Sequence, residues 1–148
     1  MRNSYNKPEL KSLYYDKEVE KVPSLDGKTI AITGTTSGTG FVAAKTVAEK
    51  GARTLLLNRK TNRSNKSSDL LKEHYPKANF IDIECDLQSF KSVKKAAKTI
   101  TDLCNDGLDV LCNNAGVMAL KDQATIDGFD IQMQTNHLSH FLLTKELL

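Results

Sequence analysis

Glycines 34, 38 and 40 stand among hydroxyl side chains in the run Thr33-Gly34-Thr35-Thr36-Ser37-Gly38-Thr39-Gly40. That composition suits a loop that holds a phosphate against bare backbone, because a pyrophosphate reaches main-chain N–H groups only where no Cβ intervenes. Gly34 would let the chain leave a strand sharply, while Gly38 and Gly40 would let ligand and helix approach closely. Thr35, Thr36 and Ser37 add hydroxyl donors. Asn113-Asn114-Ala115-Gly116 sets two amides before two small residues, and Asn114 would serve as a turn residue. In Asn58-Arg59-Lys60, Arg59 offers a guanidinium able to grip a phosphate in a bidentate way, where an acid would bind a ribose hydroxyl and repel a phosphate. A solvated basic loop is the competing reading.

These residues need elements that bring them to one edge. Thr29-Ile30-Ala31-Ile32-Thr33 is a short β-branched run entering the glycines, as a buried parallel strand does. Phe41, Ala44, Val47 and Ala48 then recur at helical spacing, in a helix expected to start near Gly40 and to be closed by Gly51 in a left-handed conformation. Thr54 to Leu57 makes a second strand, followed by a polar stretch from Asn58 to Ser68 and a short helix through Leu70, Leu71 and Tyr75 that Pro76 ends. Phe80 to Ile83 is a third strand, with Asp86-Leu87 after it. Ser89 can cap a helix bearing Phe90, Val93, Ala97, Ile100 and Cys104 on one face. Asp109 to Cys112 is a fourth strand, and a last helix is expected to carry Phe129, Met133, Leu138, Phe141 and Leu142. Strands alternating with helices predict an α/β architecture, a Rossmann-type doubly wound parallel sheet spanning residues 25–148. Residues 1–24 read as a peripheral arm or helix, charged from Pro8 to Val22 and ending at Pro23.

The bulk properties remove other classes. Twenty-one basic against 18 acidic residues give a net charge of +3, spread along the chain, which argues against a nucleic-acid partner. Cys85, Cys104 and Cys112 show no CxxC spacing and read as small buried residues of a reducing compartment. His137 and His140, three apart, complete no metal set, so packing or surface roles are expected and no metal. No stretch reaches the roughly 18 apolar residues of a membrane span. No signal or transit pattern appears in residues 1–27, and a cytoplasmic protein is the expectation.

The spacing TGxxxGxG, with Asn-Asn-Ala-Gly after the fourth strand, resembles the fingerprint of the short-chain dehydrogenase/reductase family. Within it, the run Asn136 to Thr144 is most similar to the retinol dehydrogenase and protochlorophyllide reductase-like branch. The resemblance implies a dinucleotide cofactor held by Gly34, Thr36, Ser37, Gly38, Thr39, Gly40, Arg59, Asp86, Leu87, Asn113, Ala115 and Gly116. Asp86 would contact the adenine, or else only cap the next helix. Asn136 would match the family's active-site Asn, although a polar residue within a helix is usually surface. Thr39 departs from the family's common Ile, which bears on the shape of the nicotinamide pocket. The implied activity is NADP-dependent hydride transfer, with NAD less favoured, between nicotinamide and a carbonyl or alcohol of a hydrophobic small molecule. The family's proton donor is the Tyr of a Tyr-x-x-x-Lys motif, which this sequence lacks: Tyr5, Tyr14, Tyr15 and Tyr75 precede Glu9, Glu18, Val19 and Asn79 at that spacing. The chain is therefore expected to be the cofactor-binding portion of an enzyme, incomplete at its carboxyl end and inactive alone, with a homo-oligomer possible for the intact protein. The alternative is a non-catalytic nucleotide-binding or redox-sensing protein.

Overall fold

The computed structural model describes residues 14–148; residues 1–13 of the expected arm lie outside them. A short helix α1 (Tyr15–Glu20) precedes β1 (Thr29–Thr33), α2 (Gly38–Glu49), β2 (Arg53–Asn58), α3 (Asn62–His74), β3 (Phe80–Glu84), α4 (Phe90–Leu103) and β4 (Val110–Cys112). The chain then runs through α5 (Ile131–Met133), a π-helical turn (Gln134–Leu138) and α6 (Ser139–Leu147). The four strands form one parallel sheet in the order β3-β2-β1-β4. Crossing from β3 back past β1 to β4 reverses the direction of strand addition, which opens a crevice at the carboxyl ends of β1 and β4.

Every residue of β1 is buried, as a continuous apolar run in a central parallel strand should be. Its alternate side chains feed two cores. Ile30, Ile32 and Leu56 meet Ala44 and Ala48 of α2 and Leu71 of α3; Ala31, Leu55, Leu57 and Ile83 meet Val93, Ala97 and Ile100 of α4 and Leu143 of α6. The doubly wound sheet read from the sequence is the observed fold. Cys85 and Cys104 are buried and Cys112 partly so.

Three local expectations are corrected. The polar stretch after β2 is mostly helix: α3 starts at Asn62, because the Thr61 and Ser64 hydroxyls form a reciprocal capping box that overrides a poor composition. Helix α2 starts at Gly38, two residues before Gly40, and Gly51 ends it with φ +97° as expected. Phe129 lies ahead of the last helical run, in the loop where Ala124 and Asp130 make an isolated bridge, and its ring packs on Phe90 at a centroid distance of 5.6 Å.

Candidate functional site

A cleft of about 390 Å³ lies across the carboxyl ends of the strands. Each strand delivers one wall: the glycine loop from β1, Asn58 and Arg59 from β2, Cys85 to Gln88 from β3, and Asn114 to Val117 from β4. Arg63 of α3 and Thr135 of the π turn complete it. Its size falls in the usual range for small-molecule sites.

The glycine loop is anchored from below. The Thr35 N–H donates to Asn58 Oδ1 at 2.9 Å and Asn58 Nδ2 donates to the Thr35 hydroxyl at 2.7 Å. Ser67 Oγ donates to the Thr35 carbonyl. Thr35, fully buried, is therefore an anchor and not a ligand donor. Above it the chain has no steric slack: a Cβ on Gly40 would stand 2.4 Å from the Gly34 carbonyl oxygen and from Asn114 Nδ2, and one on Gly34 2.8 Å from Ala115 Cβ. Gly38 is different. Its φ is +61° and a Cβ there would meet nothing within 4 Å, so the bare backbone faces open cleft.

Helix α2 opens onto this space without a side-chain cap. Ser37 occupies the N-cap position but its hydroxyl accepts from Arg63 Nη2 instead of a helix N–H. By contrast, Thr61 and Ser89 cap α3 and α4. The first-turn amides of α2, with the positive end of its dipole, lie at the open cleft beside Gly38, an arrangement that favours an anion.

The β1 and β4 ends are stitched together. The Asn114 and Ala115 N–H groups both donate to Thr33 Oγ1 at 3.0 Å. Asn114 Nδ2 donates to the Thr33 carbonyl at 2.8 Å, and Asn114 Oδ1 accepts from Thr39 Oγ1 at 2.9 Å. The hydroxyl that departs from the family's Ile is thus bound to the second asparagine of the Asn-Asn-Ala-Gly motif, turned away from an apolar role.

The predicted site residues divide accordingly. Gly34, Thr36, Ser37, Gly38, Thr39, Arg59, Asp86, Leu87, Ala115 and Gly116 line the cleft; Gly40 is buried beneath it. Asn113 is not among the lining: its Nδ2 donates to Thr144 Oγ1 of α6 at 3.0 Å, and Asn114 takes the joining role. One Asp86 oxygen accepts from the Gln88 N–H while Ser89 caps α4, so Asp86 shapes the β3–α4 turn at the cleft and is not that helix's cap. Asn136 clasps the Val117 backbone, accepting its N–H and donating to its carbonyl, both at 2.8 Å. Its carboxamide therefore positions the segment after Gly116. The sequence carries no signal for the anchoring role of Asn58 or for Arg63, which falls in the polar stretch after β2.

Titration follows burial. Cys85, under the cleft floor, has its thiol pushed up to about 12 by burial, with the neighbouring Asp86 charge acting in the same direction, so it is an inert wall. Burial lowers the pKa of His140 from 6.5, partly opposed by the Asn136 carbonyl. Among the described residues no helix is long and apolar enough to cross a membrane.

The short chain dehydrogenase family model matches residues 28–148. The chloroplastic short-chain dehydrogenase TIC 32 A of Brassica napus is 41% identical over 127 residues, covering 84% of this chain and 39% of that protein. Human retinol dehydrogenase 13 is 35% identical over 130 residues, covering 84% and 38%. The chain thus spans well under half the length of these relatives. Among solved structures, an uncharacterized protein from Mycobacterium paratuberculosis superposes with a TM-score of 0.76 at 36% identity, covering 87% of this chain and 44% of that one. A short chain dehydrogenase from Escherichia coli CFT073 complexed with NADPH superposes with a TM-score of 0.65 at 28% identity, covering 84% and 53%.

Proposed function

This chain belongs to the short-chain dehydrogenase family, and from that premise we propose that it is the cofactor-binding portion of an NADP-dependent oxidoreductase acting on a carbonyl or alcohol of a hydrophobic small molecule. The observation that carries the reading is the uncapped start of α2 beside the open backbone of Gly38, with two arginines on the same cleft. The residues fit a dinucleotide phosphate: α2 and Gly38 take the pyrophosphate, Arg59 and Arg63 the 2′-phosphate. Asp86 and Leu87 would hold the adenine, and Ala115 and Gly116 would leave room for the nicotinamide ribose. Bound there, the nicotinamide supplies the hydride; Asn136 and Asn114 hold the backbone that shapes its pocket.

No Tyr-x-x-x-Lys occurs in these 148 residues, so in this reading the group that protonates the developing alkoxide is not supplied by them. A second reading is a nucleotide-binding or redox-sensing protein without turnover. The proposal includes a reducing, cytoplasm-like setting, supported by three unpaired thiols, and fractionation of the native protein tests it. The decisive experiment is calorimetric titration of the full-length protein with NADPH and NADH, followed by NADPH-oxidation assays on a panel of hydrophobic aldehydes and ketones. NADPH binding at least tenfold tighter, roughly one charge-assisted contact's worth, with turnover, is expected. Equal or tighter NADH binding rejects the NADP assignment; NADPH binding without turnover on any carbonyl favours the second reading.

A further inference from the structure

His140 lies on α6 with 6% of its surface exposed, and both ring nitrogens are engaged. Nδ1 is 3.2 Å from the Asn136 carbonyl, which can only accept, so Nδ1 carries the proton and Nε2 is bare. Nε2 is 3.0 Å from Thr33 Oγ1. A threonine hydroxyl has one proton and two lone pairs. Here both lone pairs are used by the N–H groups of Asn114 and Ala115, so the proton must go to His140.

We propose that His140 is a positioning residue for the nicotinamide end of the cleft: as the Nδ1–H tautomer it takes the Thr33 hydroxyl proton, and so frees both Thr33 lone pairs to fix the turn at Asn114 and Ala115. The other acceptor within reach of that proton is the Cys112 carbonyl, at 3.4 Å. If His140 gains a second proton, Nε2–H meets an oxygen whose lone pairs are taken. The hydroxyl must then swing to Cys112, and one backbone N–H loses its partner in a buried setting. The described interactions bring no charged side chain to the ring. Its polar neighbours are Thr33 of β1, the Cys112 carbonyl of β4 and Asn136 of the π turn, while α4 brings Val93, Ala97 and Ile100 to the core beside α6. Nothing there compensates an imidazolium.

The inference rests on the dinucleotide reading, and the test separates the two. NADP⁺ and 2′,5′-ADP, which lacks the nicotinamide half, are titrated into the full-length protein and its His140→Gln and His140→Leu variants from about pH 5 to about pH 7.5. The Gln amide oxygen accepts from Thr33 without titrating, so His140→Gln should match the unaltered protein at the upper limit and bind NADP⁺ roughly tenfold tighter than it at the lower. Ligand titration is common to all three proteins and cancels. His140→Leu should lose about tenfold in NADP⁺ affinity while 2′,5′-ADP affinity stays within about twofold. Superimposable pH profiles for the Gln variant and the unaltered protein overturn the proposal, as does equal weakening of both ligands by Leu. If Leu does not fold, the Gln profile decides alone. Failure of the unaltered protein to bind either ligand removes the dinucleotide reading itself.

Discussion

At Arg59 and Arg63 the chain commits two guanidiniums to one end of the cleft, and the two were not equally visible. Arg59 follows an apolar strand directly, where a ribose-binding acid would otherwise stand. Arg63 acquires meaning only once α3 is known to begin at Asn62 and swing its first turn toward Ser37. Arg59→Ala should narrow the preference for NADPH over NADH at least tenfold, corresponding to the roughly 1.5–3 kcal/mol of a charge-assisted bond. Arg63→Ala should narrow it by a smaller factor, about threefold, since the Arg63 guanidinium is already engaged by the Ser37 hydroxyl. Calorimetry on each variant checks both, and an unchanged preference in Arg59→Ala would remove that residue from the site. Gly38→Val should abolish dinucleotide binding with most helical signal retained, because the added side chain projects into open cleft from a backbone at φ +61°. Normal binding by fluorescence titration would sink the cradle assignment. The glycine loop was legible because an apolar strand before it and an amphipathic helix after it give its glycines a context, and the Asn-Asn-Ala-Gly run because it resembles a family motif. Which asparagine faces the loop was not, since 113 and 114 are chemically identical and only the strand's exit direction separates them.

Helix by helix, legibility tracked the strength of the apolar pattern. In α4, Val93, Ala97 and Ile100 repeat on a single face and Ser89 caps it, so its extent is readable. Helix α3 opens Asn-Arg-Ser-Asn-Lys-Ser-Ser, residues of indifferent propensity whose helicity depends on a cap and on three serines packed inward. Thr61→Ala should therefore cost about 1 kcal/mol in urea unfolding, and should weaken NADPH binding beyond that loss of folded protein because the first turn carries Arg63. A variant as stable as the parent would show that the box contributes nothing. The π turn had no sequence signal, because one turn of i→i+5 bonding, which ends with Ser139 N–H to Gln134 O, leaves hydrophobic periodicity almost untouched. It shifts Asn136 and His140 into register with Val117 and Thr33.

Taken as a whole, the sheet has two edges, β3 and β4, without a further strand among the described residues, and the class was readable because only a parallel sheet needs alternating strands and helices. Apolar side chains are exposed on β4 and the helical run after it: Val110 is 46% exposed, Met133 53% and Phe141 65%. A polypeptide of residues 1–148 should therefore self-associate with concentration in sedimentation and give no NADPH-dependent carbonyl reduction. Phe141→Glu should lessen the association; a monodisperse monomer with a cooperative melt and turnover would contradict both. The uncapped start of α2 has a thermodynamic corollary. A phosphate seated there completes the helix, so ligand concentration and unfolding are linked, and saturation at 100 times Kd should add about 2.7 kcal/mol to global stability. Amide hydrogen exchange would record it locally: the N–H groups of residues 38–40, ahead of the first intrahelical bond from Phe41 N–H to the Ser37 carbonyl, should exchange almost freely in the empty protein and fall silent as ligand is added, before any change in the buried strands.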